Sequence, residues 1–253
     1  MLKIASNLII SSLLFIAVAV FGLWFLVFAP LSALTDASPL DGVRVVKDGI
    51  VGVGVVDAGD KQVALVDCGS DASGKAILAE LSKRGLTAAS VKAIFLTHGH
   101  GDHTAGCPLF TQAKVYALEP DIPLVEGKVG SHGPLTRFFP AKPTGVHVTQ
   151  AVHDGDVLEV GKLRVRVLAV PGHTPGSAAY LAGSCLFVGD SANITSTGEV
   201  VAAPWPFTDD SSRNREAIQA LAGKLRADSD QVVAIVPAHS GVGNFSALNR
   251  FEP

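Results

Sequence analysis

The sequence has 253 residues, a formal net charge of −3 and only 17% charged residues. A chain of this length can bury a large core, and neither its charge nor any basic cluster indicates a nucleic-acid partner. Its three cysteines, Cys68, Cys107 and Cys185, are too few for a disulfide scaffold, and each lies in or beside apolar sequence. We therefore expect three buried thiols that pack as small apolar groups.

The chain begins with an apolar segment. Leu8 to Ala29 contains no charged residue, and 22 residues of helix would span roughly 33 Å, enough to cross a bilayer. Trp24 suits the membrane interface. Residues 1–30 are predicted to be an uncleaved single-pass anchor; the alternatives are a cleaved signal segment, which would give a secreted protein, and a mis-assigned start or a buried helix. Lys3 favours a cytoplasmic N-terminus, which places the following domain outside the cytoplasm, in the periplasm.

Residues 31–41 are predicted to be a polar tether, and residues 42–253 one domain. Three β-branched runs separated by turn residues predict strands at Val43–Val46, Ile50–Val56 and Gln62–Val66. Asp67 ends the third strand. A helix is predicted from Ser73, a candidate N-cap, to Gly85, a stop signal.

Four candidate metal ligands follow the next predicted strand, Val91–Leu96. They are His98, His100, Asp102 and His103, and two glycines, Gly99 and Gly101, separate them. Because the backbone must turn sharply for these side chains to converge, the glycines are expected to permit the turn and to keep bulk out of the site. Imidazoles with a nearby carboxylate suit zinc, and iron or manganese in similar sites.

The remaining pattern is mostly β-rich. It predicts a short helix at Pro108–Ala113, strands at Lys114–Ala117, Val157–Val160, Leu163–Val170, Ser177–Ala182, Cys185–Val188 and Gln231–Val236, and an amphipathic helix at Asn214–Leu225. The two irregular stretches, Glu119–Val148 and Asn193–Thr208, are long enough to be binding loops or ordinary surface excursions. Leu135, Phe138, Phe139 and Trp205 are candidates for lining a substrate mouth. His132 and His147 are not expected to be ligands.

The motifs occur in an order that resembles the signature of the metallo-β-lactamase-fold hydrolases. Asp67-Cys68-Gly69 comes first, then the histidine motif, then Gly172-His173, Gly189-Asp190 and Ala238-His239. The resemblance covers roughly Gly42 to Gly243. It implies an α+β fold, a four-layer αββα sandwich of two mixed β-sheets flanked by helices.

The same resemblance implies a dinuclear centre. It assigns His98, His100, His173 and Asp190 to one metal and Asp102, His103, Asp190 and His239 to the other, so that Asp190 bridges the two. All seven residues are thereby expected to be catalytic, with two Zn²⁺ ions, or iron or manganese, as cofactors. Asp67 is expected to support the histidine loop, although a carboxylate that caps the next turn is an equal alternative. A hydroxide that bridges the metals would attack a small carbonyl substrate.

The same resemblance limits the class of substrate. An aspartate in the bridging position argues against a true zinc β-lactamase and fits the branch that contains glyoxalase II and lactonases. Residues 240–253 are all that follow His239, so the C-terminal helical domain of glyoxalase II is expected to be missing. The prediction is a hydrolase of small esters, thioesters or lactones, in contact with the membrane through residues 8–29, with no oligomeric state specified. The alternatives are a mono-iron persulfide dioxygenase and a non-catalytic, membrane-tethered metal-binding domain.

Overall fold

The computed structural model describes residues 22, 25–227 and 231–251. The chain divides into two units, Met1–Leu31 and Ser32–Pro253. In the first unit, residues 25–28 are helical. Most of the predicted apolar anchor, Leu8–Ala29, lies outside the described residues, and no helix among those described is long and apolar enough to cross a membrane.

Most residues of the predicted tether belong to the second unit and form backbone hydrogen bonds within it. The amide of Ser32 donates to the carbonyl of Ile194 over 2.8 Å, and Ala37 pairs with Val45 in an isolated antiparallel bridge. The backbone of residues 32–37 is thus tied to the rest of the second unit at both of its ends.

Two six-stranded sheets form the middle of the second unit within the described residues. The first sheet runs β1 (Val43–Asp48), β2 (Val51–Gly59), β3 (Gln62–Val66), β4 (Val91–Phe95), β5 (Lys114–Leu118) and β6 (Gln150–Val152) in that order. Its first two pairs are antiparallel and the other three parallel.

The second sheet is also mixed. Its strands are β7 (Val157–Val160), β8 (Leu163–Ala169), β9 (Ala178–Ala182), β10 (Cys185–Gly189), β13 (Ala234–Pro237) and β14 (Gly243–Asn244), each beside the next. Only the β10–β13 pair is parallel. A small two-stranded sheet joins β11 (Ala192–Ile194) to β12 (Val200–Ala202).

Three apolar clusters define four layers. Side chains from the inner faces of both sheets, including Phe95 and Tyr180, form the central core. Helix α1 (Lys75–Lys83) packs Ile77 and Leu81 on the outer face of the first sheet, and α4 (Ser211–Ala227) packs Ile218 on the outer face of the second. Strands that are buried on both faces have largely apolar sequences, and for this reason β3, β4 and β10 were predicted from the sequence. The predicted αββα sandwich is confirmed.

The shorter helices are α2 (Gly101–Thr104), α3 (Ile122–Val125) and α5 (Phe245–Leu248). The 3-10 turns are Ala88–Ser90, Cys107–Leu109, Glu119–Asp121, Thr136–Phe138 and Trp205–Phe207.

Some predicted boundaries were wrong. Helix α1 begins at Lys75 with Gly74 as its N-cap in the left-handed region, so Ser73 is not the cap; the Ser73 hydroxyl bonds to Asp71 instead. The helix predicted at Pro108–Ala113 is only the 3-10 turn that ends at Leu109. The last long strand starts at Ala234 rather than at Gln231.

Candidate metal centre

The predicted ligands follow the ends of strands that run in the same direction. Strands β3 and β4 are parallel neighbours, and they lead into Asp67 and the histidine motif. In the second sheet β8, β10 and β13 all run the same way, because β9 is antiparallel to both β8 and β10. Their carboxyl ends therefore meet at one edge, where loops deliver His173, Asp190 and His239.

The structure brings all seven predicted ligands together. They fall into two groups, each with candidate ligand atoms within 4.8 Å of one another: His98, His100, His173 and Asp190 form one, and Asp102, His103 and His239 form the other. These are the two ligand sets that the resemblance assigns to the two metals, except that the resemblance also assigns Asp190 to the second set.

The Asp190 carboxylate joins the two groups. Its Oδ2 lies 3.5 Å from Nε2 of His173 and 3.1 Å from Nε2 of His239, and its Oδ1 lies 3.2 Å from Nε2 of His103. One carboxylate thus faces a histidine of the first group and two of the second, which is the position that a bridging ligand needs.

Each of the five histidines has a polar partner on the side away from the cluster. A partner on one ring nitrogen fixes the ring and leaves the other nitrogen for a metal. The contacts are Nδ1 of His98 with Thr97 (3.1 Å), Nε2 of His100 with Ser131 (2.8 Å), Nδ1 of His103 with Asp67 (2.8 Å), Nδ1 of His173 with Thr208 (3.3 Å) and Nδ1 of His239 with the carbonyl of Ile50 (2.8 Å). His100 alone therefore turns Nδ1 inward.

Several inward atoms have no hydrogen-bond partner among the described residues. Nε2 of His98 has no hydrogen-bond partner in the described part of the chain, and Nε2 of His103 and Oδ1 of Asp190, which lie 3.2 Å apart, do not meet hydrogen-bond geometry; all three belong to buried side chains. Burying a polar atom without a partner is costly. Unpartnered lone-pair donors that converge on one point are what a bound cation would satisfy, so this residue set fits two divalent metal ions.

The first group is poised to bind a cation without losing protons. Burial lowers the pKa of His98 well below its usual range and the pKa of His173 to about 3. Burial also lowers the pKa of His100. These imidazoles are neutral at pH 7. Nε2 of His98 has no hydrogen-bond partner among the described residues, and the inward nitrogens of His173 and His100 lie 3.1 Å apart and share one hydrogen bond.

The second group has the opposite balance. Burial opposes protonation of His239, but Asp190 and Asp102 raise its pKa to about 10. The pKa of His103 is raised well above its usual range, again against burial, by Asp190 first and then by Asp67 and Asp102. Burial works against ionisation of Asp102 too, yet the neighbouring His103 and His239 lower its pKa to about 2. Without a metal, the protonated imidazoles of His103 and His239 offset the negative charges of Asp102 and Asp190.

A family match spans most of the second unit. The family described as the metallo-beta-lactamase superfamily matches residues 46–239. The chain belongs to this superfamily. The resemblance inferred from the motifs is therefore confirmed.

Curated relatives within the superfamily include hydroxyacylglutathione hydrolases. One from Cupriavidus taiwanensis is 38% identical over 135 residues, which is 51% of this chain and 44% of the relative. Another, from Vibrio cholerae, is 34% identical over 131 residues, covering 52% and 42%. The chain spans less than half the length of these relatives. A solved B3 metallo-beta-lactamase with an active-site glutamic acid has a TM-score of 0.64 at 21% identity, covering 87% of this chain and 88% of that one; this likeness concerns the fold.

Asp67 occupies a strained backbone position within this superfamily fold. Its φ is +63°, in the left-handed region that residues other than glycine rarely adopt. The carboxylate accepts bonds from the amide and hydroxyl of Thr97, each 2.8 Å long, and faces His103. Gly189 lies against the same threonine, because a Cβ there would come within 2.4 Å of its hydroxyl oxygen. The strained turn thus places the Asp67 carboxylate against the histidine loop. The lack of a side chain at Gly189 allows the residue before Asp190 to lie against Thr97.

Of the two motif glycines, only Gly99 keeps side-chain bulk out of a crowded place as expected. Neither has a positive φ. A Cβ on Gly99 would come within 2.6 Å of the Val125 amide nitrogen, so this glycine permits a close approach to α3. A Cβ on Gly101 would meet nothing within 4 Å, so the prediction that Gly101 keeps bulk out of a crowded site was wrong.

Two of the three cysteines are not free thiols. Cys68 and Cys107 form a disulfide with a Cα–Cα distance of 5.2 Å, which corrects the expectation of three buried thiols. Cys68 follows Asp67, and Cys107 lies just after α2, which carries Asp102 and His103. The disulfide therefore ties the Asp67 turn to the ligand helix. Cys185 is buried and free, as expected, and burial raises its pKa to about 11.

The predicted mouth residues lie on two neighbouring segments. Phe138 and Phe139 are 73% and 70% exposed, and Trp205 is 58% exposed. The two segments are joined by a 2.8 Å bond from the amide of Leu135 to the carbonyl of Pro206. The same segments carry Ser131 and Thr208, which contact His100 and His173. Their role in substrate binding stays a prediction. His132 and His147 belong to neither candidate metal group.

Sequence reasoning missed Asp121. Its carboxylate is 1% exposed and accepts bonds from the amides of Gly99 and Gly176. Burial raises its pKa to about 6, so it is ionised at neutral pH. One signal was available: Asp121 follows β5, a parallel neighbour of β4, so its side chain belongs at the edge that carries the histidine loop.

Proposed function

We propose that the protein is a dinuclear zinc hydrolase that acts on a small thioester, ester or lactone. The observation that carries the proposal is the position of Asp190 between two groups of histidines. A single-metal site would need only one of these groups, and a purely structural cluster would not leave the buried Nε2 of His98 without a hydrogen-bond partner.

In this proposal His98, His100 and His173 hold one ion, Asp102, His103 and His239 hold the other, and Asp190 contacts both. Two divalent ions held in this way supply Lewis-acid polarisation of a carbonyl group and lower the pKa of water from about 15.7 towards 7. Iron or manganese would suit the same ligands, since all accept imidazole and carboxylate.

The protein's own groups orient the reaction. The Asp102 side chain is 29% exposed, whereas those of His98, His103 and His173 are buried, so its carboxylate reaches the open side of the cluster. Its lowered pKa keeps it ionised at neutral pH, and Oδ2 lies 3.3 Å from Nε2 of His239. From there it can accept a hydrogen bond from an attacking water and orient that water.

The substrate class rests on the relatives and on the bridging aspartate. The relatives are named hydroxyacylglutathione hydrolases, and a hydroxyacylglutathione is a thioester. The bridging position of Asp190 supports this branch over the true zinc β-lactamases. Exposed aromatic side chains on the segments that contact His100 and His173 would favour a substrate with an apolar group.

The proposal places the domain outside the cytoplasm, anchored by the apolar residues 8–29. The Cys68–Cys107 disulfide supports an oxidising compartment, where such bonds persist. Fusions of alkaline phosphatase to the C-terminus of the full chain would test this. High phosphatase activity is expected, and an inactive fusion with intact expression would contradict the placement.

The test of function is turnover by the zinc-loaded protein of a panel of thioesters, lactones, simple esters and a β-lactam, with metal analysis. We expect two zinc ions per chain and thioester or lactone hydrolysis that is lost in the double variant His98→Ala, Asp102→Ala. Exposed variants such as Val157→Ala serve as the control. Activity that persists in the double variant would refute the mechanism, and one iron with oxygen uptake on a persulfide would favour the dioxygenase alternative.

A further inference from the structure

A buried carboxylate outside the ligand set bonds to two metal-binding loops at once. Oδ2 of Asp121 accepts a 2.7 Å bond from the amide of Gly99, and Oδ1 accepts a 3.0 Å bond from the amide of Gly176. Gly99 lies between His98 and His100, and Gly176 lies three residues after His173. All three histidines of the first metal group are therefore within three residues of a backbone amide bonded to Asp121.

Both loops approach the Asp121–Val125 segment too closely for a side chain at Gly176 or Gly99. A Cβ on Gly176 would come within 2.4 Å of the Asp121 amide nitrogen, and a Cβ on Gly99 would come within 2.6 Å of the Val125 amide nitrogen. The Asp121–Val125 segment is thus a common support on which the two loops pack. Because the support is buried, the amides of these loops depend on the carboxylate for their hydrogen bonds.

We propose that Asp121 is a positioning residue for the first metal site, holding the His98–His100 loop and the His173 loop at the separation that one ion requires. The inference rests on the proposed dinuclear function. It does not extend to the second site, because His103 is held by Asp67 and His239 by the carbonyl of Ile50.

An ionised carboxylate is the group that suits this position. It has acceptor oxygens only, so it satisfies both amides. An asparagine of the same shape has one acceptor oxygen, and its NH₂ group would face the amide of either Gly99 or Gly176. The substitution Asp121→Asn therefore keeps the volume and breaks the link to one of the two loops.

Zinc affinity in single-site backgrounds tests the inference. Asp102→Ala with His239→Ala leaves the first site, and His100→Ala with His173→Ala leaves the second. Competition with a chromophoric chelator measures the zinc dissociation constant in each background, with and without Asp121→Asn. We expect at least a tenfold weakening of the first site, the range seen when groups behind metal ligands are removed, and less than a threefold change at the second. Equal weakening of both sites, or no change at the first, would overturn the proposal.

Asp48→Asn is a control for changing a buried carboxylate to an amide elsewhere in the domain. Asp48 accepts bonds from the amides of Ser70 and Asp71, both through Oδ2, and neither amide belongs to a ligand loop. It should leave the affinity of the first site unchanged, and a comparable loss there would contradict a specific role for Asp121.

A measurement on the wild-type protein covers the case in which Asp121→Asn does not fold. The amide protons of Gly99 and Gly176 should exchange slowly with solvent and shift downfield in nuclear magnetic resonance spectra. Fast exchange of either amide would refute the link. Failure of the wild-type chain to bind zinc would instead refute the proposed function, so the two failures are distinguishable.

Discussion

Oδ2 of Asp67 lies 2.8 Å from Nδ1 of His103, and the two residues are 36 positions apart in the sequence. The contact fixes which ring nitrogen of His103 faces the candidate metal site, and it leaves Nε2 3.2 Å from Asp190. The same carboxylate bonds to Thr97 at the start of the histidine loop. One buried side chain thus sets both the course of the loop and the orientation of a ligand.

Replacing Asp67 with asparagine should weaken the second metal site. The amide has one acceptor oxygen for three partners, so it cannot satisfy His103 and both groups of Thr97 together. We expect zinc affinity at this site to fall roughly 10–100-fold and the free energy of unfolding to drop by about 1–3 kcal/mol. Chelator competition and denaturant unfolding measure the two effects. A variant that keeps wild-type affinity would show that the contact is only structural.

Opening the disulfide should destabilise the domain and loosen the second site. The bond closes a loop with a sequence separation of 39, for which chain entropy gives roughly 4 kcal/mol. We expect Cys68→Ser with Cys107→Ser to lower the denaturant midpoint and the zinc affinity of the second site together. Cys185→Ala, which removes the free buried thiol, is the control and should keep the affinity. Equal midpoints with and without a reducing agent would contradict the pairing.

The sequence was sufficient to predict the metal ligands, but it did not predict the disulfide and the Asp121 carboxylate that hold the ligand loops in place. His98, His100, Asp102 and His103 are close in sequence, so local spacing predicted that these four meet. His173, Asp190 and His239 were added because the order of the motifs resembles the signature of the metallo-β-lactamase-fold hydrolases. The disulfide was missed because Cys68 and Cys107 lie in apolar sequence that also describes free thiols. Asp121 was missed because its partners are backbone amides, which leave no trace in residue identity. Only tertiary packing brings these groups together.

Zinc binding to the metal-free protein should release protons from the second group alone. At pH 7.5 His239, with a pKa of about 10, carries a proton, and His103 does too because its pKa is raised. His98 and His173, with lowered pKa values, do not. The affinity of the second site should therefore rise with pH between 7 and 8, while that of the first stays nearly constant.

Titration calorimetry in buffers of different ionisation enthalpy counts these protons. We expect more protons to be released per second-site ion than per first-site ion. In the metal-free protein the raised pKa of His239 also contributes stability, which is complete below its unfolded pKa of about 6.5 and is lost as the pH rises towards 10. A heat of binding that is independent of the buffer would contradict the assignment.

Removing the exposed aromatic side chains should impair substrate binding without affecting stability. Phe138, Phe139 and Trp205 are more than half exposed, so their replacement by alanine removes little buried area. Their segments contact His100 and His173 through Ser131 and Thr208. If these aromatics line the mouth, Phe138→Ala and Trp205→Ala should each raise KM for a substrate with an apolar group by up to about tenfold, the equivalent of 1.4 kcal/mol, and leave kcat within a few-fold.

Val157→Ala is the control for this prediction. Val157 is 42% exposed on β7, and it takes part in none of the contacts with the metal ligands that are described above. It should leave KM, kcat and the melting temperature unchanged. A KM effect confined to substrates with large apolar groups would support the mouth, because a small polar ester would not reach the aromatic rings. If the aromatic variants changed kcat and KM equally for every substrate, they would be acting on the metal ligands through Ser131 and Thr208, and the proposed mouth would be wrong.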